Sequence, residues 1–207
     1  MRLLLLFIVA SLSIVSAQSN FEKEMTKAFE LRQSNQEVEA LQMFDSIAKT
    51  NPKEWLPHYY IAQMNSLKSW GVKDVGVLKA QLKKAQSHLD QAMSLSPDNT
   101  ELLVMQAQIL TNWVAYDGMT YGRKYSGIIT QLYNKATTLD PTNPRAAFCK
   151  ADWAMGSAKY FGRDTAPFCK DVKEALTLFD SFKPESDFHP NWGRERAEQV
   201  LVSCNKE

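Results

Sequence analysis

Four proline-terminated apolar patterns recur along this chain, and any fold must accommodate all of them. They read Ala40, Phe44, Ile47, Pro52; Ala85, Leu89, Ala92, Pro97; Ile129, Tyr133, Ala136, Pro141; and Val172, Leu176, Phe179, Pro184. The prolines lie 45, 44 and 43 residues apart. Residues at i, i+4 and i+7 share one face of an α-helix. Proline cannot continue a helix, so each pattern predicts a helix that buries one stripe and stops just before its proline. A second apolar helix precedes each, as in Tyr59, Tyr60, Ala62 and Met64, or Leu102, Leu103, Ala107 and Leu110. Asp98 and Glu101 have the spacing of a capping box that opens such a helix. A lone hairpin of this kind cannot bury its apolar face, but stacked hairpins can. With only 8 glycines and 8 prolines, the chain lacks the turns of a β-sandwich.

These residues resemble the tetratricopeptide repeat (TPR) family. Ala40, Phe44, Ile47 and Pro52 fall where that family places its small, aromatic, small and proline residues. Ala28, Ala62, Ala107 and Ala151 match the small residue of its first helix, and Leu139-Asp140-Pro141-Thr142-Asn143-Pro144 looks like its repeat junction. The resemblance implies an all-α, TPR-like α-solenoid of about four antiparallel helical hairpins over residues 18–184, with a C-terminal cap over 185–207. It also implies a scaffold that binds a protein or peptide partner. TPR units run about 34 residues, and three units here run about ten longer.

The additional residues fall between the two helices of units two, three and four, and they share a pattern. Trp70-Gly71, Tyr121-Gly122-Arg123 and Phe161-Gly162-Arg163 each join an aromatic to glycine, twice with arginine after it. Insertions at one junction of a stacked array line up along one edge, often the binding one. Aromatic and arginine side chains dominate interface energetics. Trp70, Tyr121, Arg123, Tyr125, Phe161 and Arg163 are therefore the candidate partner-binding residues. The structural alternative is that each glycine caps a helix, the aromatic packs on a neighbour and the arginine offsets the helix dipole.

The ends carry separate signals. Arg2, the apolar run Leu3–Ala10 and the small residues Val15-Ser16-Ala17 read as a cleaved signal peptide over residues 1–17. The apolar run is too short to span a bilayer. Without those residues the chain has 23 basic and 23 acidic side chains, so no broad basic surface attracts nucleic acid. The absence of an Asn-x-Ser/Thr sequon favours a bacterial envelope, periplasmic or secreted. No membrane span is expected in the mature chain. At the other end Pro190 suits a first helical turn, and Ala197, Val200, Leu201 and Cys204 form the apolar stripe of a capping helix. Antiparallel neighbours would bring Cys169, early in the last hairpin's second helix, to Cys204 at the end of the cap. Export makes a Cys169–Cys204 disulfide available, and buried free thiols are the alternative.

Signatures of chemistry were sought along the whole chain. His58, His88 and His189 stand apart in sequence, with no His-Glu-x-x-His or Cys-x-x-Cys spacing, so no metal or cofactor is expected. No nucleophile elbow or P-loop occurs, and no catalytic residue is assigned. The expected function is partner capture in the concave groove or along the insertion edge. The alternative is a small-ligand binder (glycan-like) or a helical-repeat enzyme using the aromatic-Gly-Arg edge.

Overall fold

The computed structural model describes residues 20–204; the expected signal peptide at 1–17 lies outside the described residues. The chain folds as α1 (20–33), α2 (Glu37–Thr50), α3 (Leu56–Ser69), α4 (Val75–Leu95), α5 (Thr100–Tyr116), α6 (Gly118–Leu139), α7 (Pro144–Tyr160), α8 (Ala166–Ser181) and α9 (Arg194–Cys204), with no strand among the described residues. Helices pair in sequence as α3/α4, α5/α6 and α7/α8, α9 closes the stack against α8, and α1 meets α2 through Phe29 on Phe44. First helices also meet: α5 packs beside both α3 and α7. The protein is an all-α helical repeat.

Local chemistry starts each helix. Asp74, Asn99, Asp117 and Asn143 cap α4, α5, α6 and α7 by accepting a backbone N–H of the first turn. Pro144 sits at the start of α7, where its missing N–H is harmless. The expected capping box at Asp98 does not form. Asp98 adopts φ 56° and ion-pairs with Lys135, which leaves the cap to Asn99. Glu101 is thereby freed to turn inward.

The expected stripes face the core. Ala40, Phe44, Ile47, Ala85, Leu89, Ala92, Ile129, Tyr133, Ala136 and Val172 are buried, as are Ala28, Ala62, Ala107 and Ala151 where the first helices pack closely. Leu176 and Phe179 are only partly buried, because the last hairpin has the short α9 rather than a further repeat to cover it. Helix α5 is apolar on two sides. Leu102, Met105 and Ile109 join the core of the first half, while Leu103, Val104 and Ala107 join that of the second.

Two tertiary features were not legible locally. First, Arg145 on α7 is fully buried against Glu101 on α5. Its Nε donates to both Glu101 oxygens at 2.9 and 2.8 Å, and its Nη2 donates to Oε1 at 2.6 Å. Asn143 adds a bond to the same carboxylate at 2.6 Å. Second, the chain after α8 does not go directly into the cap. Residues 182–193 form a strap that returns to the first half of the molecule. Phe188 packs on Phe21 and Phe29, and its carbonyl accepts from the Tyr60 hydroxyl at 2.7 Å. The Trp192 indole donates to the Tyr59 hydroxyl at 2.7 Å. Pro190 belongs to this strap and is buried in it, so α9 starts later than the sequence suggested, at Arg194. Gly193 makes the turn into α9 at φ 106°, where a Cβ would stand 3.1 Å from the Phe179 ring.

A disulfide joins Cys169 on α8 to Cys204 on α9, with the Cα atoms 5.9 Å apart, and Cys149 is a buried free thiol. Replacing both Cys169 and Cys204 by serine should lower stability by about 3–4 kcal/mol in the chain-entropy model. Urea unfolding of the variant against the oxidised parent measures this. Arg145→Ala should destabilise by about 3–5 kcal/mol, because it strands a buried carboxylate. The double change Glu101→Leu with Arg145→Met should lose clearly less in the same assay.

Candidate functional site

In the third hairpin the extra residues turn out to be helix, and α6 runs 22 residues against 14 in α2. In the second and fourth hairpins residues 70–74 and 161–165 stay outside helices, although α4 runs 21 residues. Tyr121, Arg123 and Tyr125 therefore lie on the first two turns of α6. Gly71 and Gly162 do end helices with positive φ, 76° and 63°, as the capping alternative required.

The hairpin junctions are fastened to one another along one edge. The Asn112 amide near the end of α5 donates to the Ser66 carbonyl and to the Ser69 hydroxyl near the end of α3, both at 2.8 Å. Gly118 at the start of α6 lies under the Tyr160 ring at the end of α7; a Cβ there would approach Cε2 to 3.2 Å. The ends of α3, α5 and α7 thus form a continuous rim. Along it Trp70 is 62% exposed, Met119 81%, Tyr160 62% and Phe161 65%, which is unusual for side chains of this size.

The candidate residues divide into two groups and one outlier. Tyr121 and Tyr125 stack in parallel, 6.0 Å apart, and Trp113 abuts Tyr121 at 4.9 Å. Lys124 lies over the Tyr125 ring at 5.0 Å. Phe161 packs edge-on against Tyr160 and carries the Arg163 guanidinium at 5.4 Å. Trp70 stands apart at the end of α3, and Arg123 is exposed. Sequence reasoning passed over Trp113, Met119 and Tyr160. The available signal was phase: Tyr160 ends a first helix out of register with the buried Ala151 and Ala158.

At the opposite, inter-repeat end lies a cleft of about 480 Å³. Trp55, Asn99, Glu101, Asn143, Arg145, Phe182 and His189 are among its lining residues, and neither Tyr121 nor Phe161 is. The Arg145 guanidinium lies 4.3 Å from the centre of the Phe182 ring, so the strap covers the buried ion pair.

Carboxylate chemistry at these places is undramatic. The Thr120 hydroxyl and amide hold the Asp117 carboxyl below its ordinary value, as a helix cap does. Asp152 on α7 is pushed up by burial, partly opposed by Arg196, and it is not among the cleft-lining residues. The histidines are the main surprise. His58 and His88, distant in sequence, meet across α3 and α4 with their Nδ1 atoms 3.1 Å apart. Among the described residues, no group of three or more His, Cys, Asp or Glu could hold a metal ion, and no helix is long and apolar enough to cross a membrane.

No protein-family model matches this chain, and no curated protein matches it in sequence. Among solved structures, the HusA haemophore from Porphyromonas gingivalis is similar with a TM-score of 0.74. The likeness covers 89% of this chain and 92% of that one, at 20% sequence identity. At that identity it shows the shared helical fold.

The Asp152 shift has a testable sign. Its folded-state pKa is raised, so the folded state holds the proton more tightly than the unfolded state. The stabilisation is complete below the unfolded value and is lost as pH rises through the folded one. Asp152→Asn should therefore raise the melting temperature at pH 7, and the gain should vanish near pH 3. Thermal unfolding across that range checks it.

Proposed function

We propose that this protein is an exported, TPR-like binding protein without catalysis of its own, and that its aromatic rim captures a flat, amphipathic, anionic ligand of the haem type. The observation that carries this reading is the exposure of Met119, Tyr160 and Phe161 at neighbouring helix ends, with Trp70 exposed at the next junction. Large apolar side chains left in water along a rigid rim mark a binding surface. Arg123, Lys124 and Arg163 lie on the same two hairpin junctions and supply positive charge for carboxylates. A porphyrin ring with propionates offers both complements. The structural likeness to a protein named as a haemophore supports the same choice.

A protein or peptide partner is the second reading, favoured by the TPR resemblance. The strap bears on where such a partner would go. Phe188 and Trp192 already occupy the first helices of the groove, much as a bound peptide would. A peptide would therefore also use the rim. The signal segment expected at residues 1–17 supports export to a bacterial envelope.

Titration of the mature protein with haem and with iron-free protoporphyrin, read by Soret absorbance and tryptophan quenching, tests this. Both should bind, since ring stacking and carboxylate pairing with the rim do not need the iron. Phe161→Ala with Arg163→Ala should weaken binding about tenfold or more, as expected for interface anchors. Tyr121→Ala with Arg123→Ala should weaken it too, with a small drop in melting temperature from lost packing on Trp113. Binding of neither porphyrin, with peptide capture that depends on the same residues, would replace the haem reading by the peptide one.

A further inference from the structure

We propose that His58 and His88 form a binding site for a divalent transition-metal ion of the zinc or copper kind. The two side chains project from facing helices, α3 and α4, and their Nδ1 atoms stand 3.1 Å apart. Imidazole nitrogens bind Zn²⁺ at about 2.0–2.1 Å, so two on one ion lie roughly 2.9 Å apart at a right angle and roughly 3.4 Å apart at the tetrahedral angle. The observed spacing falls between those limits without any movement of either helix.

In the metal-free pair one Nδ1 carries a hydrogen and donates it to the other. When an ion binds, that hydrogen moves to Nε2 of the same ring, and the two rings turn about their side-chain bonds so that both Nδ1 lone pairs converge on the ion. The rings stay neutral and no oxidant or reductant is needed. Burial lowers the proton affinity of both imidazoles, partly opposed by the Asp45 carboxylate of α2. His58 is buried and His88 only partly so, which leaves one side of the pair open to water. No third protein ligand is placed there among the described residues, so water completes the coordination, as in an open rather than a closed site. The pair lies about 18 Å along α3 from Trp70, at the 1.5 Å rise of a helix, so it does not depend on the rim reading.

The test uses the full mature chain and Zn²⁺ or Cu²⁺ alone. Zn²⁺ should raise the melting temperature and bind with one equivalent in calorimetry. His88→Gln, at the more open position, should weaken Zn²⁺ by at least about tenfold, since even an outer-shell partner is worth that much. His189→Gln, which removes the histidine paired with Glu185, should leave the affinity unchanged. Should His58→Gln fail to fold, the Cu²⁺ spectrum of the parent decides: hyperfine coupling to two nitrogens is expected. No binding, coupling to one nitrogen or none, or affinity lost with His189 rather than His88 would overturn the proposal.

Discussion

A fully buried arginine survives inside a helical stack only if its charge is matched. Arg145 is matched by Glu101 with three hydrogen bonds, and Asn143 donates to the same Oε1 that two of them use. That arrangement ties α5 to α7 and aligns the second half of the array with the first. It also sets a floor on which the strap rests, through Phe182 over the guanidinium and Gly193 against its aliphatic stem. One guanidinium nitrogen, Nη1, has no partner, which is consistent with its position under the aromatic ring. Buried ion pairs of this kind add little net stability but penalise every packing that separates them. The register of the helices follows from that penalty.

The strap changes what the groove of this solenoid can do. Open helical arrays present their first helices to partners. Here Tyr59 and Tyr60 are committed to Trp192 and to the Phe188 carbonyl, and Phe29 is stacked on Phe188. The disulfide pins the end of α9, at Cys204, to the start of α8, at Cys169. The accessible apolar surface lies at the hairpin junctions, where the ends of α3 and α7 and the start of α6 carry it as a rim. Rigid helix ends suit a flat ligand better than mobile loops would, because little conformational entropy is lost when it docks.

Particular residues mark how far local reading reached. The stripes from Ala40 to Val172 could be assigned because burial repeats with the helical period. Glycine suggests a break in a helix. Gly122 and Gly127 nevertheless sit inside α6, where long flanking helical runs outweigh their propensity. Asp98 and Glu101 have the spacing of a capping box, but a buried arginine competes for the glutamate and wins. His58 and His88 stand 30 residues apart in sequence, so no local spacing joins them. Antiparallel pairing of α3 and α4 removes that separation.

The linear order of residues was enough for the class of fold, the number of hairpins and the periodic core, because a helix face is defined by neighbours three and four positions away. It was also enough to point at the junctions where aromatic and arginine residues gather. The Glu101–Arg145 pair, the His58–His88 contact and the return of residues 182–193 belong to tertiary structure alone. Trp192 reaches Tyr59 across 133 residues, and Phe188 reaches Tyr60 across 128. Contacts at that range depend on how the stack curves and closes, a cooperative outcome of all the packed interfaces that no local pattern encodes.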